Sequence, residues 1–98
     1  TTDELSMRFS RLRNVTFHDC DLSGADFYSA TFDHVTFDAC SLRSARFHAA
    51  TVKCLAISGC DMTGLVGALD LKGAVIALDD LQSLAPSLAG EAGIELTD

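Results

Sequence analysis

Cys20, Cys40 and Cys60 recur at intervals of 20 residues, and a fourth thiol, Cys54, stands outside that series. Evenly spaced thiols suggest a metal or redox column. A structural zinc site, however, needs four ligands around one point, and three thiols in a line do not supply it. Stacked strands would also hold successive Cβ atoms about 4.8 Å apart, outside the preferred disulfide range of about 3.5–4.5 Å. Free thiols acting as small buried hydrophobes are therefore expected. They suit a reducing compartment, so the expected location is cytoplasmic.

The remaining candidates are weaker as chemistry. At the 20-residue interval Cys54 shares a column with His34 and Asn14. An adjacent imidazole can lower a thiol pKa. Catalysis would further need a group to orient the histidine and a site for an oxyanion, and the sequence suggests neither. His18, His34 and His48 fall on three different sides of the repeat and so do not converge on a metal. Arg8, Tyr28 and His48 share one column, an aromatic and cationic strip expected to pack along a sidewall. No catalytic, cofactor-binding or metal residue is assigned, and the expected class is non-enzymatic.

These columns presuppose an element that repeats. Taking every fifth residue from Met7 gives Met7, Leu12, Phe17, Leu22, Phe27, Phe32, Phe37, Leu42, Phe47, Val52, Ile57 and Met62, all apolar. Two positions before each stands a mostly small residue: Leu5, Ser10, Val15, Cys20, Ala25, Ala30, Val35, Cys40, Ala45, Ala50, Leu55 and Cys60. A period of five fits neither a helix, near 3.6, nor a flat strand, at 2. Two inward residues flanking one outward residue make a short stretch of strand, and two further residues turn the chain. Each five-residue unit is one side and one corner of a climbing coil, and such self-similarity is the mark of a solenoid. The structural core is expected to be Phe17, Phe27, Phe32, Phe37, Phe47, Leu22 and Leu42 around the axis, with Cys20, Cys40 and Cys60 against the wall.

The segments CDLSGADFYSATF (20–32) and CSLRSARF (40–47) resemble the pentapeptide-repeat family, whose unit is A(D/N)LXX. Cys20-Asp21-Leu22 and Ala25-Asp26-Phe27 match that unit, and the resemblance covers residues 5–78. It implies an all-β solenoid, a right-handed quadrilateral β-helix with four pentapeptides per coil. The 20-residue recurrence of Cys20/Cys40/Cys60, Phe17/Phe37 and Phe27/Phe47 agrees independently. After Met62 the phase is expected to slip by one, giving inward pairs Gly64/Val66, Leu69/Leu71 and Ala74/Ile76. The stack is then about three and a half coils, roughly 17 Å tall at the strand spacing.

Open solenoid ends need caps. Residues 79–98 read as a helical C-terminal cap on coils spanning 5–78, all in one domain. Asp79 or Asp80 is the expected N-cap. Leu81, Leu84, Ala85 and Leu88 have helical spacing, and Pro86 predicts two short helices or one kinked helix. Gly90 and Gly93 offer stops, and residues 93–96 suggest a short extended tail. The family resemblance implies a homodimer built through this cap, with Leu81, Leu84 and Leu88 as its residues. No comparable cap is evident at Leu5 and Met7.

The net charge is −7, which argues against direct nucleic-acid binding. No apolar run approaches the 18 residues of a membrane span, and no signal-peptide pattern opens the chain. The resemblance also implies an alternative, since some family members mimic DNA and occupy the DNA site of gyrase or another topoisomerase. Residues 1–65 hold eight acids and six Lys or Arg, whereas residues 66–98 hold six acids and one Lys. Duplex DNA over the same height carries about ten charges, so the repeats fall short of a duplex. The expected function is a scaffold that presents its sidewalls or ends to a protein partner. A third reading, prompted by a chain that opens on Thr1 rather than Met, is a repeat segment of a larger protein.

Overall fold

A computed structural model describes residues 6–97. Leu5, the first of the expected inward residues, lies outside them. The chain is a β-solenoid of about three turns followed by a C-terminal helix. Strands β1 (Arg11–His18), β2 (Thr31–Asp38), β3 (Thr51–Ser58) and β4 (Val75–Ile76) form one sheet in the order β1-β2-β3-β4. All its pairings are parallel. The register of β1 on β2 is 20 residues throughout, with Phe17 under Phe37 and Val15 under Val35. On the other sides the same step appears as single bridges, Asp21 to Ser41 to Asp61 and Asp26 to Arg46 to Val66. The period seen in the sequence is thus the height of one coil.

The corners rest on a backbone choice that the sequence barely signals. Phe9, Asn14, Asp19, Ser29, His34, Ala39, Ser44 and Ala49 have φ between 53 and 62°, and Gly24, Gly59 and Gly64 between 68 and 73°. One residue in nearly every unit is therefore left-handed, a conformation that disfavours residues carrying a Cβ. Cys54 breaks the series. At that corner the β2–β3 register shifts, so that Asp33 rather than His34 partners Cys54.

Within this frame the backbone bonds separate by phase. Thr31, Ser41, Arg46, Thr51, Asp61 and Val66 each donate their N–H to the coil below. Met7, Leu22, Phe27, Leu42 and Phe47 each donate to the coil above. Every middle coil is thereby satisfied on both sides, as buried backbone must be. The axis is filled by rings in the same register: Phe27 stacks on Phe47 at 5.0 Å and Phe17 on Phe37 at 5.1 Å. Phe32 tilts against Phe27 at 5.6 Å.

The last coil departs from the expected phase. Leu65, not Gly64 or Val66, is the buried residue of its unit, and Val66 still sits in the 20-residue register over Arg46. The slip falls later, between Val66 and β4, where Ile76 pairs with Ile57 at a 19-residue step. Gly67 explains it. It takes the slot that stacking would give to a large residue above Phe47, and a Cβ there would lie 2.6 Å from the His48 nitrogen. The chain instead presses down on the coil and turns into a short 3-10 helix, Ala68–Leu71, which buries Ala68 and Leu71. Leu69, expected inward, is half exposed.

The cap is one helix, α1 (Leu81–Ala92), with Pro86 as its sixth residue, preceded by a 3-10 turn at Leu78–Asp80. It ends at Gly93, φ 75°, whose N–H bonds back to Ala89 and Gly90. Gly90 is inside the helix rather than a stop, and residues 94–97 adopt no regular structure.

Candidate interaction surfaces

The cysteine column is a packing device. Cys40 and Cys60 are buried, Cys20 is partly exposed, and all four thiols are free. Cys40 Sγ donates to the Phe17 carbonyl at 3.2 Å and Cys60 Sγ to the Phe37 carbonyl at 3.4 Å. Each thiol thus ties its coil to the one beneath. Burial pushes both thiols up from their ordinary value, away from the nucleophilic thiolate. Cys54 is exposed. His34 Nδ1 lies 2.7 Å from Asp33 Oδ1, so the imidazole pairs with a carboxylate on its own strand.

The other expected core residues differ by height. Phe27, Phe32, Phe37, Phe47 and Leu42 are fully buried, and Leu22 nearly so. Phe17, in the first coil, is only partly buried, as are Met7, Leu12 and Cys20. Of the residues expected in the cap or a dimer, Leu84 is buried and Leu88 partly buried against this chain's own core, while Leu81 is 41% exposed.

Sidewall charges pair between coils with alternating sign. Arg13 Nε lies 3.8 Å from Asp33, and Arg43 Nη1 lies 3.3 Å from Asp61. His18 Nδ1 lies 2.9 Å from Asp38. The Arg8 guanidinium sits 4.9 Å over the Tyr28 ring and 3.7 Å from Asp26, and Phe9 meets Tyr28 edge-on at 5.6 Å. The His48 side chain lies 3.9 Å from Asp70 instead. The Ser23 hydroxyl and N–H hold the Asp21 carboxyl below its ordinary value. Thr63 does the same for Asp61, its hydroxyl donating at 2.6 Å and its N–H at 3.0 Å. Among the described residues no group of three or more His, Cys, Asp or Glu is placed to hold a metal ion.

One side has a different balance. Arg11, Leu12, Arg13, Thr31, Asp33, Thr51 and Lys53 line a groove of about 330 Å³. Three cations face one carboxylate there, in a chain that is acidic overall.

The two ends are built differently, as the sequence suggests, but the side chains that close the upper one were not foreseen. At the upper end, side chains stand in for the coil that does not follow. The Asp70 carboxylate accepts from Ala49 N–H at 2.9 Å, Asp80 from Cys60 N–H at 3.2 Å, and the Ser83 hydroxyl from Met62 N–H at 3.0 Å. The Glu91 carboxylate accepts from Gly67, Ala68 and Leu69 N–H at 2.8, 2.9 and 3.2 Å. Asp80, expected as the N-cap of α1, makes no side-chain bond to the helix because its carboxylate is turned to Cys60. At the lower end, among the described residues, β1 pairs with β2 alone, and Phe9 is 67% exposed.

A family model for the pentapeptide repeat region matches residues 3–66. The chain belongs to the pentapeptide-repeat family. The matched region ends at Val66, the last residue in the 20-residue register. The 3-10 helices and α1 (68–92), which close the upper end of this pentapeptide-repeat solenoid, lie beyond it. No match was found among curated proteins.

Proposed function

We propose that this pentapeptide-repeat protein is a non-enzymatic scaffold that binds a protein partner through its sidewalls and open end. The observation that carries this reading is the contrast between the two ends. Among the described residues, the upper edge is satisfied by this chain's own side chains, whereas β1 at the lower end is paired on one side and Leu12 and Phe17 are only partly buried. Cys40 and Cys60 and the pairs Arg13–Asp33, His18–Asp38 and Arg43–Asp61 hold one coil to the next, which supports a structural rather than a chemical use. Free thiols support a reducing, cytoplasmic setting. The net charge of −7 supports a partner other than nucleic acid.

A homodimer belongs to the same proposal. Leu69, Val75, Leu78 and Leu81 at the upper end are 41 to 82% exposed, an apolar patch suited to self-association. Light scattering after gel filtration should then give twice the chain mass, with a monomer for Leu78→Glu/Leu81→Glu; a wild-type monomer at all concentrations would remove the dimer from the account.

The scaffold is tested by pull-down from a lysate of the source organism, with crosslinking and mass spectrometry. A specific protein crosslinked to the lower end or a sidewall is the expected result. Recovery of gyrase or topoisomerase subunits, lost when sidewall acids are neutralised, would replace this reading with the DNA-mimic one. Recovery of no protein would overturn both.

A further inference from the structure

The sidewall formed by β1, β2 and β3 holds charge differently from what a regular stack of Arg13, Asp33 and Lys53 would give. At a strict 20-residue step Asp33 would serve the cation below it and the cation above it. Both of its oxygens are instead engaged elsewhere. Oδ2 faces Arg13 Nε at 3.8 Å, and Oδ1 lies 2.7 Å from His34 Nδ1. Lys53 is left out for a backbone reason. Asn14 and His34 are left-handed at this corner, and Cys54 is not. The β2–β3 register shifts there, and Cys54 rather than Lys53 becomes the partner of Asp33. Among the described residues Lys53 has no carboxylate partner.

The result is a groove of about 330 Å³ in which Arg11, Arg13 and Lys53 face a carboxylate that is already paired, with Thr31 and Thr51 adding hydroxyls. The groove opens outward from the sheet. A coil stacked beneath β1 would lengthen this wall and would not cover it. The 20-residue period also assigns Asp3 and Glu4 to the columns of Ser23 and Gly24, not to those of Arg11 and Arg13.

Resting on the scaffold reading, we propose that this groove takes a short acidic segment of a partner protein, a run of about three or four Asp or Glu lying along the stack. Lys53 stands two coils above Arg13, roughly 10 Å at the strand spacing, and extended chain covers that in about three residues. Guanidinium groups grip carboxylates in a fixed fork, and Lys adds a point charge. Acidic motifs are read by such Arg clusters. The run must be short. Residues 66–98, which follow above, hold six acids against one Lys and repel a longer polyanion such as nucleic acid.

The test uses the full chain and fluorescently labelled eight-residue peptides read by anisotropy. One has four consecutive Asp flanked by Ser, and the other has Lys in their place. The Asp peptide should bind and the Lys peptide should not, and raising NaCl from about 0.05 to 0.5 M should weaken binding about tenfold or more. Lys53→Glu should weaken the Asp peptide about tenfold, and Arg11→Gln/Lys53→Gln about as much, both with the circular dichroism of the parent. Arg46→Glu makes the same charge change on another wall and should alter binding less than about twofold. A loss as large for Arg46→Glu as for Lys53→Glu, or no binding of the Asp peptide, would overturn the proposal. So would displacement of the peptide by a tenth of its concentration of pyrophosphate, equal binding of an eight-nucleotide single strand, or self-association that Lys53→Glu abolishes, since each gives the groove to another occupant. A partner captured from lysate as strongly by Lys53→Glu as by the parent would sink the acidic segment alone and leave the scaffold standing.

Discussion

The two ends of this solenoid meet the same problem and resolve it differently. Any stack of parallel coils finishes with an unpaired edge and an uncovered layer of core. At the upper end the chain supplies oxygen acceptors where the next coil's carbonyls would be, from Asp70, Asp80, Ser83 and Glu91, and lays α1 over the core. At the lower end, among the described residues, Arg11–His18 is paired along one edge, and Phe17 is only partly buried. The difference teaches that the repeat itself does not end a solenoid. Ending it takes a break in register, a glycine that admits close backbone approach, and side chains that imitate a strand.

The sharpest way to break this comparison is in the middle, where both ends depend on it. Phe37→Asp buries an unpaired carboxylate among Phe27, Phe32 and Phe47, and should unfold the chain outright. Retention of native circular dichroism and melting would show that the inward assignment is wrong. Truncation grades the ends: Phe37→Ala should cost about 3–5 kcal/mol, and Phe17→Ala about half that, in urea unfolding. Equal costs would mean that the lower layer is covered as well as the middle one.

At the upper end, Gly67→Ala forces a Cβ against the His48 backbone at 2.6 Å and should cost roughly 1–3 kcal/mol. Glu91→Ala leaves three N–H groups without their acceptor and should cost about 1–3 kcal/mol. Its signature is faster amide exchange at Gly67–Leu69, with β1 unchanged.

The smallest effects come from titration and the corners. The raised pKa values of Cys40 and Cys60 mean that the fold favours the protonated thiol. Their contribution is complete below the ordinary value of 9.0 and is lost as pH rises through the folded values. A melting series should therefore fall above about pH 9, less so in Cys40→Ala/Cys60→Ala. An unchanged alkaline limb in that variant would show that the thiols carry none of the effect. At Ala49, with φ 59°, Ala49→Gly should stabilise by about 0.5 kcal/mol, the relief of left-handed strain less the added chain entropy.

How far the sequence foretold this follows from what repeats. A five-residue alternation of large and small apolar residues is imposed by the axis itself, so Phe27, Phe37 and Leu42 were legible as core and 20 residues as the coil. The corners were not, because left-handed backbone is borne here by Phe9, Asn14, Asp19, Ser29, His34 and Ala39, residue types with no common signal. The upper end was misread for a related reason. Leu69 and Val66 look inward by alternation, but Gly67 removes a side chain from the axis and lets the backbone turn early. Asp80 likewise reads as a helix N-cap, and Glu91 gives no signal of its own. Only the coil beneath shows that their carboxylates accept from N–H groups that would otherwise have no partner.

Residue-resolved amide exchange on the intact chain tests the contrast between the ends most directly. The account predicts fast exchange at Arg11 and Thr16, and slow exchange at Cys60, Met62 and Gly67–Leu69, approaching that of β2. Protection at Arg11 and Thr16 equal to that at Cys60 and Met62, or an upper end that exchanges faster than the lower, would contradict it.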